Sequence, residues 1–225
     1  MKIEKIYEDE DILVLNKPSG LIVNNSQTSK GKTLQDYLEE EYKFLEKFPG
    51  TEFAQRAGIV HRLDKETSGL LVVAKNPEGF LFLQREFKGR NVRKEYTAVV
   101  FGRVQDEKIQ VNAPIGRNPK NRIKFALVPS GKEAITDAEK LEELNLDGDL
   151  FTVLKVFPKT GRTHQIRVHM AGINHPIAGD SVYSTSQQQK VAAKHFQRLM
   201  LHASSISFLH PKRKEEMFFT SSVPF

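Results

Sequence analysis

The chain has 225 residues, with 34 Lys and Arg against 28 Asp and Glu for a net charge of +6, and no cysteine. The lack of Cys excludes disulfides, thiol catalysis and thiolate metal sites, and it suits a reducing compartment such as the cytoplasm. Hydrophobic residues at 39% and charged residues at 28% are ordinary for a globular protein. No apolar run is long enough to span a membrane, and the charged N-terminus lacks the apolar stretch of a signal peptide.

In chain order, Ile12 to Leu15 reads as a buried strand closed by the turn Asn16-Lys17-Pro18-Ser19-Gly20, and Leu21 to Val23 as a second short strand. Residues 33–48 read as an amphipathic helix capped by Thr33, acidic on its outer face and stopped by Pro49-Gly50. Residues 69–75 are apolar on both faces, as in a central strand. Asn76-Pro77 opens a helix that ends at Gly89. Strands follow at 94–101, 108–111, 122–128, 133–142 and 150–157. Then come a short helix from Thr163 to Ala171 with Thr163 as its cap, a polar helix over 187–198, and a last strand over 201–209. Strands separated by turn residues favour antiparallel pairing. The fold class is therefore α+β: a mixed, mainly antiparallel sheet core with flanking helices. No linker divides the chain, which predicts one domain over 1–225 built from two sheet halves.

Charge is unevenly placed. Residues 36–46 are acidic, whereas basic residues gather at 85–94, 117–124 and 159–169. Brought to one face, the three basic clusters would offer contacts to a polyanion; left apart, they are solvated surfaces.

The most informative segment is His61-Arg62-Leu63-Asp64-Lys65-Glu66-Thr67-Ser68-Gly69. It sets one carboxylate among basic side chains, just before a turn and a buried strand. A carboxylate held there could act as a nucleophile, although an Asp in such a run could equally cap the turn. His164 and His169 fall on different helix faces, and carboxylates near them are few, so no metal site is expected.

Six segments in this order resemble the RluA family of RNA pseudouridine synthases: residues 16–20, the Asp64 segment, 94–102, 159–170, 175–183, and 201–203 with Phe208 and His210-Pro211 beyond. Because the chain begins directly at a strand, no N-terminal accessory RNA-binding module is expected beside the single catalytic domain. The resemblance implies isomerisation of uridine to pseudouridine in structured ribosomal or transfer RNA, by base flipping and with no cofactor. It assigns Asp64 as the catalytic carboxylate, which attacks the anomeric carbon, adds to the uracil ring or starts a glycal route. Arg167 is implied as its basic partner, fixing its direction by bidentate hydrogen bonding. Tyr96 is implied to stack on the target uracil and relay the carbon-5 proton. For substrate binding, Arg62 is expected to fill the space the flipped base leaves, His61 to help hold the turn, Ile166 and Leu201 to floor the uracil pocket, and Arg162 to contact the RNA. By spacing alone, Tyr96 could be an ordinary strand aromatic and Arg167 a phosphate contact or surface charge on the helix.

Two departures from the family pattern stand out: the segment 37–53 is longer and more acidic than expected, and Ser184 follows Tyr183 where glycine is common. A monomer acting in the cytoplasm, without membrane or metal, completes the expectation. The competing classes are a non-catalytic RNA-binding or ribosome-assembly protein on the same fold, and a glycoside-processing enzyme. Intact Asp64, Tyr96 and Arg167 argue against the first, and the basic clusters against the second.

Overall fold

A computed structural model describes residues 3–25 and 31–225. Its first half contains strands β1 (Glu4–Glu8) and β2 (Ile12–Lys17), helices α1 (Leu34–Glu41) and α2 (Glu52–Gln55), strand β3 (Ser68–Ala74) and helix α3 (Pro77–Lys88). Next come β4 (Arg93–Phe101), β5 (Lys108–Asn112), β6 (Ile115–Arg117), β7 (Phe125–Leu127), β8 (Ile135–Leu146) and β9 (Asp149–Pro158). The C-terminal part holds α4 (Gln165–Gly172), α5 (Ser186–His195), β10 (Leu201–Leu209) and β11 (Glu216–Thr220). The α+β class with mainly antiparallel pairing is as expected.

The chain divides into two compact units, Met1–Arg93 with Ala203–Ser222, and Lys94–His202 with Val223–Phe225. In the first unit β2 pairs antiparallel with β1 and β3, and β11 pairs antiparallel with β10. Strand β3 is buried at every position, as its two apolar faces require. Gly69 at φ +117° opens that strand, and a Cβ there would run into the Ala203 backbone, so only glycine permits the close approach. Helix α3 starts where expected, with the Asn76 side chain accepting from Gly79 N–H at 2.8 Å and Pro77 in the first turn. It lays Phe80 and Leu83 against the core.

Helix α1 has the Thr33 cap, completed as a capping box by Asp36 at 2.9 Å from Thr33 N–H. It is shorter than the expected helix over 33–48: it ends at Glu41 with Tyr42 as its C-cap, and a 3-10 turn covers Lys43–Lys47. Leu21 to Val23 are not a strand. The Ile22 and Val23 carbonyls instead accept the Leu34 and Gln35 N–H groups, satisfying donors that the helix start leaves over.

In the second unit β9 pairs antiparallel with β4 and β8, and β8 with β5; β6 and β7 form a separate two-stranded hairpin. Expected as one strand, residues 122–128 contain only the short β7, because the Asn118 side chain accepts from Lys120 and Asn121 N–H and turns the chain first. The core joins Ala98, Val100, Leu154, Val156, Met170, Ile177 and Met200. Strands β1 and β11 are not among the expected elements.

Candidate active site

Asp64 lies in the first unit, half-buried, in a turn whose Asp64 carbonyl accepts the Thr67 N–H at 3.2 Å. The two carbonyls that follow it are clamped from another part of the chain. Gly20 N–H donates to the Lys65 carbonyl at 2.8 Å, and the Ser19 hydroxyl donates to the Glu66 carbonyl at 2.6 Å. Lys17, 0% exposed, donates through Nζ to the carbonyls of Pro18 and Leu21 at 2.9 Å and of Lys65 at 3.0 Å. A buried ammonium is tolerated only where such acceptors surround it. Here they tie the 17–20 turn to the Asp64 turn.

On the other side, His61 Nε2 accepts the Val72 N–H of β3 at 2.9 Å, and its ring stacks on Phe87 of α3 at 4.4 Å. That bond fixes the tautomer with the proton on Nδ1. His61 thus ties the start of the turn to β3 and α3. Leu63 is buried beneath the turn, and Arg62 is exposed. Thus one rigid loop presents both Asp64 and Arg62.

The remaining expected residues lie in the second unit. Ile166 and Leu201 belong to its core cluster, and Tyr96 packs against that cluster from β4, opposite Val156 of β9. All three thus belong to or pack against one apolar cluster. Arg162 donates through Nε to the Glu133 carbonyl at 2.9 Å.

Arg167 sits on α4 with its side chain only 5% exposed, and forms a bidentate pair with Asp180 at 2.7 and 2.9 Å. Burial pushes the Asp180 carboxyl up, but the Arg167 guanidinium and the N–H groups of Val182 and Tyr183 outweigh it and hold the carboxyl below its ordinary range. Gly179 at φ +76° precedes Asp180, and a Cβ there would meet the Arg198 carbonyl. The guanidinium also lies 5.2 Å from the Tyr183 ring centre.

Helix α4 does not start on a Thr163 cap. Its N-cap is His164, in the left-handed region at φ 56°, with no capping side chain. The sequence gives Gln165 that work instead. Its Oε1 accepts from Thr160 Oγ1 at 2.6 Å and Arg162 N–H at 3.0 Å; its Nε2 donates to the Ile135 carbonyl at 2.9 Å and Thr136 Oγ1 at 3.0 Å. Buried His169 adds Nδ1 to Thr136 Oγ1 at 2.8 Å and Nε2 to the Ala113 carbonyl at 3.0 Å. Burial pushes His169 down, so it stays neutral.

Lys17, Gln165, His169, Asp180 and Tyr183 were not singled out from the sequence as positioning groups. The signal was present, because all five lie within the recurring motifs. Their partners, however, sit across turns that residue spacing does not resolve.

Among the described residues, Asp9, Asp11 and His210 are close enough to share a metal ion. Asp9 is already engaged: Oδ1 accepts from Asp11 and Ile12 N–H, and Oδ2 accepts from Tyr7 Oη at 2.9 Å, His210 Nε2 at 2.9 Å and Arg213 Nη1 at 3.1 Å. An arginine thus supplies the positive charge there, and the cluster ties the N-terminal hairpin to the segment after β10.

The RNA pseudouridylate synthase family model matches residues 11–172. Ribosomal large subunit pseudouridine synthase D of Nitrosomonas europaea is 38% identical over 222 residues, 97% of this chain and 61% of that protein. An uncharacterized RNA pseudouridine synthase of Aquifex aeolicus is 40% identical over 228 residues, 99% of this chain and 70% of that protein. Among solved structures, Human RNA Pseudouridylate Synthase Domain Containing 1 matches with a TM-score of 0.80 at 30% identity, covering 100% of this chain and 84% of that one.

Proposed function

The chain belongs to the RNA pseudouridylate synthase family, and from that membership we propose that it isomerises uridine to pseudouridine in structured ribosomal or transfer RNA. The observation that carries this reading is the Asp64 turn. A carboxylate on a loop whose backbone is fixed by Lys17, Ser19, Gly20 and His61 has a fixed point of attachment, which supports its use in attack on a sugar or base. The ribosomal substrate named for the Nitrosomonas relative favours ribosomal RNA as the first class to assay.

The reaction breaks the bond from C1′ to N1 and forms one from C1′ to C5. The proton on C5 is lost and N1 gains one, so no oxidant or cofactor enters the balance. Asp64 supplies the carboxylate, at the anomeric carbon as in a retaining glycosidase, at the uracil ring, or as base in a glycal route. Arg167 is the basic partner that the family pattern assigns to Asp64. Its pair with Asp180 and the network of Gln165 and His169 keep the helix that carries it in one place. Tyr96 stacks on the flipped uracil and relays the C5 proton, with Ile166 and Leu201 as apolar floor. Flipping costs roughly a few kcal/mol, part of which an Arg62 guanidinium in the vacated stack offsets. Arg162 and the basic clusters contact phosphates. The protein acts as a monomer in the cytoplasm.

The test is tritium release from unmodified RNA labelled at uridine C5, run on ribosomal and transfer RNA separately. Release from either supports the reading and names the class. Binding of both without release favours a non-catalytic RNA-binding protein.

A further inference from the structure

Within the second unit, five side chains form an unbroken train from an exposed surface to the buried Arg167. Arg117, exposed on β6, lies 4.5 Å above the Phe125 ring of β7. Phe125 meets the His164 ring edge-on at 5.8 Å, and His164 meets Tyr183 edge-on at 5.6 Å. Tyr183 in turn lies under the Arg167 guanidinium. The train is pinned by hydrogen bonds. Tyr183 Oη is 2.8 Å from His164 Nδ1 and accepts the Phe125 N–H at 3.2 Å. Lys124 Nζ donates to the Val182 carbonyl at 2.7 Å, fastening the hairpin to the turn that holds Asp180.

Two features separate this train from ordinary packing. The residue at its centre, His164, adopts a left-handed conformation that is costly for a side chain bearing a Cβ, and its ring lies between those of Phe125 and Tyr183. Its outer end also carries the surface charge. Arg117, Lys120 and Arg122 are exposed beside Ile123, which is 86% exposed at the hairpin tip. Charged residues around an exposed apolar side chain suit an RNA backbone with an adjoining base.

We propose that Tyr183 is a positioning residue that couples the basic hairpin to Arg167, so that phosphate engagement at Arg117 constrains the Arg167 guanidinium during the reaction. This rests on the functional reading above. It adds that RNA contact at the hairpin contributes to the rate and not to affinity alone.

A double-mutant cycle on the full chain with tritiated RNA tests it, measuring both the dissociation constant and the single-turnover rate at saturating RNA. Arg117→Ala should weaken binding and also lower the saturated rate by about threefold or more. Tyr183→Phe, which keeps the ring and removes the hydroxyl, should lower the saturated rate. In the Tyr183→Phe background, Arg117→Ala should weaken binding with little further loss of rate, a departure of about threefold or more from the product of the single effects. If Tyr183→Phe melts early, Phe125→Leu interrupts the train two rings nearer the surface and gives the same comparison. A saturated rate that Arg117→Ala leaves unchanged, or single effects that multiply, overturns the coupling while native turnover upholds the functional reading. No turnover by the native protein overturns that reading and the coupling with it.

Discussion

At Lys17 the sequence shows only a turn, Asn-Lys-Pro-Ser-Gly, but the structure shows a fully buried ammonium giving its protons to three backbone carbonyls. One of them belongs to Lys65, beside the carboxylate on which the proposed chemistry depends. Lys17 thus acts on Asp64 through the backbone, which makes it a positioning residue. Lys17→Met keeps most of the volume and removes every one of these bonds, at a cost on the order of 2–4 kcal/mol. The expected outcome is a lower melting temperature together with a lower single-turnover rate, while RNA affinity changes little. A variant that loses stability but keeps its full rate would remove Lys17 from the account of the site. Asp180 shows the same limit on reading a sequence. Arg167 and Asp180 are 13 residues apart across a helix end and a turn, and nothing in their spacing announces a bidentate pair.

At the scale of elements, what was legible was local. The caps of α1 and α3 lie at Thr33 and Asn76, where the side-chain chemistry of helix starts puts them. Strand β3 is buried on both faces as its unbroken apolar run demands. What failed was decided by long-range partners. Leu21 to Val23 look like a strand, yet the Ile22 and Val23 carbonyls accept from the first N–H groups of helix α1 instead. Thr163 looks like a cap, yet α4 begins one residue later on a left-handed His164, because Gln165 reaches back to Arg162 and across to β8. All four hydrogen-bonding positions of the Gln165 amide are used. Gln165→Leu therefore leaves several buried groups unmet and should destabilise by roughly 2–4 kcal/mol. The helix start that orients Arg167 loosens, so the rate should fall by more than the loss of folded protein explains. Thermal denaturation and single-turnover kinetics on the same preparation check both parts.

Across the whole molecule, charge and protonation set the pH range. Burial, helped by the charge of Arg198, pushes His202 down to about 4, and burial pushes His169 down as well. Unfolded histidines take up a proton near their ordinary value of about 6.5, whereas these two stay neutral in the fold. Their contribution is therefore complete above about pH 6.5 and is lost as pH falls through each folded-state value, for His202 about 4. Burial alone would raise the Asp9 carboxyl, but the Ile12 and Asp11 N–H groups, Tyr7 and His210 hold it down to about 2. Its contribution is present above the ordinary carboxylate value and disappears between there and about pH 2. Melting temperature should thus be flat near neutrality, decline from about pH 6.5 to 4, and fall again below that. His202→Gln should soften the first decline and leave the second. The basic clusters act at the same scale: RNA affinity should drop as salt rises, since neutralised phosphates release counterions. The central claim, that Asp64 is the carboxylate performing the isomerisation, meets its most direct test in tritium release from C5-labelled RNA by the native protein and by Asp64→Asn side by side. The account predicts release by the native protein, none above background by Asp64→Asn, and near-equal RNA binding by the two. Release by Asp64→Asn at the native rate would contradict it.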